Sequence, residues 1–258
     1  MDIEIKKAVR AGNSSAVILP RAWLDKEVRV ELIKKSPETI LQDTLNIAGK
    51  HINPKEIIGI YLAGSYARGE EDKGSDIDLL VISANTDKEM IHEGVYNILI
   101  VSEGLLRWKL ENDLLPIGPM LLEAKPLINM SYLDSVRVKV TRKNVRWYIE
   151  TAGEKLKLIE EALKSLGKKV DGRVVYTLIL RIRTLHLIQK MIKGEGYSKR
   201  DFVSLIKRVS GSGKAYEAYL GVKNDAGDAE DGRTTKEEAE KLYDYLRGQL
   251  ARVQDLLG

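Results

Sequence analysis

The chain contains no cysteine, so disulfides and thiolate metal sites are excluded. With only three histidines, His51, His92 and His186, a histidine-rich zinc centre is not expected either. No stretch approaches the roughly 18 consecutive apolar residues of a membrane span. Met1-Asp2-Ile3-Glu4 has neither the basic start nor the apolar core of a secretory signal, which makes the cytosol the expected location and a membrane partner unexpected. What remains is a chain of 258 residues, 43% hydrophobic and with a formal net charge of +4. That is enough for a sizeable core and roughly one to three domains. The slight positive balance permits a nucleotide or nucleic-acid partner without demanding one. Frequent lysine and glutamate without cysteine also follow the drift of heat-adapted proteins.

Residues 64–78 carry the most chemistry. Gly64-Ser65 follows a hydrophobic run, Ile57 to Ala63, and after a ten-residue gap Asp76-Ile77-Asp78 opens a second run, Leu79 to Ile82. Carboxylates at i and i+2 on a strand share one face, where they can hold a divalent cation, and hard oxygen ligands suit Mg²⁺. Glycine lets backbone approach a phosphate closely, and a helix starting there would aim free N–H groups at it. Metal on one wall and amides on the other describe a nucleoside triphosphate site.

Gly64-Ser65, the gap and Asp76-Ile77-Asp78 together resemble the signature of the polymerase β-type nucleotidyltransferase superfamily, most closely its small prokaryotic members. The resemblance implies an enzyme that moves a nucleoside monophosphate from a nucleoside triphosphate to an acceptor hydroxyl, using Mg²⁺ or Mn²⁺. Asp76 and Asp78 would hold the metal. Gly64 and Ser65 would hold the triphosphate. Arg68, one helical turn on, is placed either to pair with a phosphate or to sit at the surface, and Ser75 to orient the strand of Asp76 or cap the loop. The superfamily carries a third carboxylate on the neighbouring strand, which reads here as Val95–Val101. The matching position is Asn97, which cannot accept a proton. Glu93 has the right parity but lies about 13 Å back along an extended strand, and Glu103 belongs to the next element. The expectation is therefore metal–nucleotide binding, with catalysis resting on an incomplete acid set.

The fold class implied is α+β: a mixed nucleotidyltransferase sheet with flanking helices, a small N-terminal β arm and a C-terminal antiparallel helical bundle. The expected domains are 1–35, 36–130 and 131–258. In the arm, Ile3–Val9, Ala16–Leu19 and Val28–Ile33 read as strands, Pro20 as a breaker and Arg21–Leu24 as one helical turn. Gly12 to Leu24, with Val28-x-Val30, resembles the swapped-hairpin domains of AbrB-type regulators. That likeness implies a homodimer and DNA contact through Lys6, Lys7, Arg10 and Arg21; the alternative is a β extension that packs on the next domain.

Ser36-Pro37-Glu38 starts a helix to about Lys50, with serine as cap, proline in the first turn and glutamate at the positive end of the dipole. Strands follow at Ile57–Ala63, Asp76–Ile82 and Val95–Val101. Ser102 caps a helix to about Glu111, Gly118–Ala124 reads as helix, and Pro126 with Ile128 as an edge strand. Beyond Tyr132, apolar spacing of three to four residues predicts helices at Val145–Leu166, Val174–Lys193, Lys199–Val209, Lys214–Val222 and Thr234–Leu257, with Thr234 and Glu237 as a capping box. This arrangement is similar in outline to kanamycin-type nucleotidyltransferases. Asn224–Arg233 reads as a solvated loop.

Three weaker signals remain. Val136–Trp147 has five basic residues and no acid, which suits either a phosphate track using Arg142, Lys143 and Arg146 or the basic face of a linker helix. Arg181-x4-His186 matches the bare spacing of HEPN ribonucleases, although a half-buried histidine on an amphipathic helix accounts for it. Gly211-Ser212-Gly213-Lys214 lacks the strand and first glycine of a phosphate loop. The acceptor is left open among a protein tyrosine, a nucleic-acid end and a small molecule. The rival reading is a DNA-binding regulator or antitoxin with a weakened nucleotide-binding domain.

Overall fold

A computed structural model describes residues 4, 6, 8–31, 35–72, 74–115, 117–165, 170–223 and 234–258. The chain divides into two compact units, Met1–Ser36 and Pro37–Gly258.

In the first unit, β1 (Val9–Ala11) pairs antiparallel with β2 (Ser14–Ala16), Val9 opposite Ala16. Gly12, at φ +60°, makes the turn. This corrects the expected strands: pairing begins only at Val9, and Ala16 ends a strand instead of starting one. The Gly-Asn turn dictates the register, so the residues flanking it pair first. Val28–Val30 is not a strand, and residues 32–33 lie outside the described residues. The expected helical turn is present as a 3₁₀ turn at Arg21–Trp23, with Pro20 before it.

The second unit opens with α1 (Pro37–Ala48), whose Ile40, Thr44, Ile47 and Ala48 face inward. Next come β3 (Ile57–Ala63), α2 (Gly64–Arg68), β4 (Ile77–Ser83), β5 (Lys88–Glu93) and β6 (Tyr96–Ser102). After these lie α3 (Glu103–Asn112), α4 (Gly118–Glu123), β7 (Lys125–Ile128) and α5 (Met130–Ser135). The sheet order is β5-β6-β4-β3-β7, with β4 and β6 parallel and the other neighbours antiparallel. The chain is thus α+β with a mixed sheet. Ser102 caps α3, accepting from the Leu105 amide at 3.1 Å. The edge strand β5 and the short α5 were not legible in the sequence. Lys88–Glu93 is largely exposed and charged, so it carries no apolar alternation, and its pairing with β6 defines it as a strand.

Alternation along β4 sorts the core. Ile77, Leu79 and Val81 pack on the face covered by α1. Leu80 and Ile82 pack on the other face, with Leu106 of α3 and Leu121 of α4. Asp78 shares the second face by the two-residue period. A third cluster is helical, built from α6 (Arg142–Ser165), α7 (Gly172–Ile192), α8 (Lys199–Ser210), α9 (Lys214–Lys223) and α10 (Lys236–Leu256). The capping box of α10 is Thr235 with Glu238, one residue later than expected. Thr234 is instead fully buried, and its carbonyl accepts from the Val170 amide at 3.1 Å. Asn224–Arg233 lies outside the described residues. No helix among the described residues is long and apolar enough to cross a membrane.

Candidate active site

The strand-to-helix turn after β3 positions the first half of the site. Ala63 pairs with Asp78, and Gly64 then takes φ +64°. A Cβ built at Gly64 would lie 2.1 Å from Asp78 Oδ2, so both the backbone angle and the close approach require glycine. The α2 turn that follows carries Ser65 and Arg68 and ends at Gly69 in the left-handed region.

The loop before β4 is closed by Ser75. Its hydroxyl donates to Asp72 Oδ1 at 2.9 Å and accepts from the Asp72 amide at 2.8 Å. Ser75 thus acts as the loop's clasp, and its bond, joined by one from the Gly74 amide, holds the Asp72 carboxyl below the usual range. The loop delivers Asp76 and Asp78 to one cavity of about 750 Å³, which Gly64, Ser65, Arg68 and Asn97 also line.

Asn97 lies beside Asp78 in the parallel register, as its parity predicts, and its amide donates to Asp78 Oδ1 at 3.1 Å. The Asn97 carbonyl is 2.7 Å from His92 Nδ1 on β5. A carbonyl can only accept, so His92 donates. Asp78, Asn97 and His92 thereby form a hydrogen-bonded row across three adjacent strands. Glu93 is drawn off by Lys50 at 2.6 Å and Glu103 by Arg107 at 2.8 Å, so neither takes the third acid's place.

Arg68 is neither free for a phosphate nor a surface residue. It pairs with Glu70 at 2.9 Å and with Glu123, and its side chain is 17% exposed. Burial alone would lower its pKa, but the bonds to Glu70 and Glu123 outweigh that and raise it. The other oxygen of Glu123 accepts from the Gly64 amide at 2.8 Å. Glu70 reaches the opposite way, accepting from Ser198 Oγ at 2.7 Å and the Lys199 amide at 3.2 Å, and so ties α2 to the start of α8. Sequence reasoning missed both glutamates. Their partners are 55 and 59 residues away for Glu123, and 128 and 129 for Glu70, and no local spacing reports that.

The helical part adds a second wall to the cavity, including Arg183, Tyr197, Lys199, Tyr216, Tyr219 and Lys223. Arg142, Lys143 and Arg146 do not line it. Arg146 pairs with Glu150 at 2.7 Å, and Lys143 lines a separate concavity of about 410 Å³ with Arg137 and Lys139. In the arm, Lys6 pairs with Glu4 at 2.8 Å, Arg10 Nε donates to the Gly12 carbonyl at 3.3 Å and Arg21 is exposed, while Lys7 lies outside the described residues. His186 packs against Phe202 and Tyr197, and burial lowers its pKa, in keeping with a half-buried helix histidine. Gly211, the start of the discarded loop match, caps α8 at φ 90°. Among the described residues, no three His, Asp or Glu side chains gather into a metal cage, so any ion must rest on the Asp76/Asp78 pair and its substrate.

A family model described as a nucleotidyltransferase domain matches residues 48–194. No curated protein matches the chain. Among solved structures, the chain is similar to spectinomycin adenyltransferase from Enterococcus faecialis, whose crystal structure holds ATP and spectinomycin. The identity is 14% and the TM-score 0.43, over 81% of this chain and 99% of that one. It is also similar to a nucleotidyltransferase-like protein from Exiguobacterium sibiricum, at 16% identity and TM-score 0.32, over 85% of this chain and 77% of that one.

Proposed function

Because the chain belongs to the nucleotidyltransferase domain family, we propose that it moves a nucleoside monophosphate from a nucleoside triphosphate to an acceptor hydroxyl at the cleft of Asp76 and Asp78. The observation that carries this reading is the packing of Gly64 against Asp78 within a cavity that Ser65 and Asp76 also line. It brings a phosphate-approaching backbone turn and two carboxylates into one pocket.

The donor set fits a hard divalent cation. Mg²⁺ is commonly held by one or two carboxylates plus substrate phosphates and not by a full protein cage, and the two aspartates provide that. Mg²⁺ or Mn²⁺ held there would neutralise charge on the phosphates. In the reaction a bond forms between the acceptor oxygen and the α-phosphorus. The bond from that phosphorus to the bridging oxygen breaks, and pyrophosphate leaves. Ser65 and the backbone after Gly64 hold the triphosphate. Asn97 cannot take the hydroxyl proton; its amide instead fixes one oxygen of Asp78, and the proton passes to water.

A second reading is favoured by Asn97 and by the arm. A neutral residue where the third acid belongs suits a nucleotide-binding domain that senses its ligand. An arm with basic residues and exposed apolar ones, Ile18 at 70% and Leu24 at 73%, suits a homodimeric DNA-binding regulator or antitoxin. Incubation with each α-labelled triphosphate, Mg²⁺ and cell extract separates the two. Labelled product formed by the native chain and lost in Asp76→Asn/Asp78→Asn supports transfer. Metal-dependent nucleotide binding with no labelled product, together with salt-sensitive DNA binding, supports the sensor.

A further inference from the structure

The two walls of the cleft carry opposite charge. Its carboxylates, Asp72, Asp76, Asp78 and Glu123, all come from the sheet region. The helical region contributes Arg183 from α7, Lys199 from α8 and Lys223 from α9, with Tyr197, Tyr216 and Tyr219 between them and no acid. Two guanidinium groups lie against one aromatic ring: Arg68 is 5.4 Å and Arg183 5.7 Å from the Tyr197 centroid. Arg68 is neutralised by Glu70 and Glu123. Arg183 is the more isolated. The groups acting on it are the Tyr197 and Tyr219 side chains, and its Nε is buried without a hydrogen-bond partner.

A largely buried cation is costly unless an anion compensates it. Among the described residues no carboxylate does so for Arg183. Its face of the cavity is therefore short of one negative charge, which a ligand can supply. An acceptor rich in ammonium groups would instead meet Arg183, Lys199 and Lys223 as like charges. The sheet wall already provides for the triphosphate, so the uncompensated charge lies on the side left to the acceptor. Resting on the transferase reading above, we propose that the acceptor carries a phosphate group, and that Arg183 pairs with it while Lys199 and Lys223 attract it at the rim. A guanidinium suits this role because its fork matches two phosphate oxygens.

The test saturates the nucleotide site with a non-hydrolysable ATP analogue and Mg²⁺. It then titrates two probes: a single-stranded oligoribonucleotide with a free 3′ hydroxyl, and ribose 5-phosphate. Binding of the first identifies a strand end, and of the second a sugar phosphate. At least one should bind, and more tightly than ribose or spectinomycin. Arg183→Met should weaken that binding about tenfold, as loss of a charged hydrogen bond predicts, and Arg183→Lys should restore part of it. Affinity for the analogue should stay within about twofold. If Arg183→Met does not fold, Lys199→Gln/Lys223→Gln at the exposed rim should weaken probe binding and flatten its salt dependence. The proposal is overturned if neither probe binds, if spectinomycin binds better, if Arg183→Met weakens analogue and probe alike, or if the rim variant binds as the native chain does. If the analogue itself fails to bind, the transferase reading falls, and the same probe titrations without analogue still decide whether Arg183 holds a phosphate.

Discussion

Asn97 and Asp78 stand side by side on parallel strands, and the Asn97 amide donates to the Asp78 carboxylate at 3.1 Å. The amide can donate to Asp78 because its carbonyl end is taken by His92 at 2.7 Å. The residue in the third acid's position thus supports its neighbour and leaves the cleft one negative charge short of three carboxylates.

Restoring that charge should have two opposed effects. In Asn97→Asp without metal, two carboxylates face each other across neighbouring strands, which destabilises. The melting temperature at neutral pH should fall below that of the native chain. Added Mg²⁺ should raise it more in the variant, with metal affinity in the presence of nucleotide increasing on the order of tenfold, ~1.4 kcal/mol. Calorimetry and melts with and without Mg²⁺ measure both, and an equal Mg²⁺ response in the two proteins would count against a metal at Asp78.

Glu123 occupies both groups a phosphate would seek, the Gly64 amide and the Arg68 guanidinium. Triphosphate must compete with it. Glu123→Gln keeps an acceptor for Gly64 and removes the charge on Arg68. Affinity for a non-hydrolysable triphosphate should rise about threefold, and unfolding free energy should drop by about 1–3 kcal/mol. A weaker nucleotide complex would mean that Glu123 shapes the site and does not compete for it.

The Glu70 carboxyl is held below its ordinary range. Burial alone would raise it, but bonds from Ser198, Arg68 and the Lys199 amide outweigh that. A depressed folded pKa stabilises above the unfolded value of about 4.3, and the contribution disappears as pH falls through the folded pKa. The melting-temperature gap between the native chain and Glu70→Gln should be widest near neutrality and close in acid. A gap independent of pH would show that the carboxylate charge is not what ties α2 to α8.

The arm leaves Ile18, Leu24 and Val30 at least 68% exposed, in a unit with only a two-stranded hairpin and one 3₁₀ turn among its described residues. Burying apolar surface is worth roughly 25 cal/mol per Å², which favours a second copy of the arm as cover. Light scattering should find a dimer, and removal of residues 1–35 should give a monomer without salt-sensitive DNA binding. A monomeric full-length chain would remove the basis for the regulator reading.

The sequence by itself determined the elements whose cause is local. Ile57–Ala63 is a strand at the expected bounds, the Gly64 turn follows it, and the bundle helices begin and end within a few residues of their apolar periodicity. Strand parity alone put Asn97 level with Asp78. The capping box slipped from Thr234 to Thr235 because both threonines have an acid three residues on, and only the burial of Thr234 separates them. Tertiary structure decided what depends on distant partners. Strand β5 exists through its pairing with β6. Arg68 is neutralised by Glu123 from α4, Glu70 reaches Ser198 on the far side of the cleft, and Arg183 is brought beside Tyr197 without an acid. Hydrophobic period and turn chemistry act over a few residues and are written in order along the chain. The compensation of a buried charge is a property of whichever groups packing brings together, so it exists only once the chain has folded.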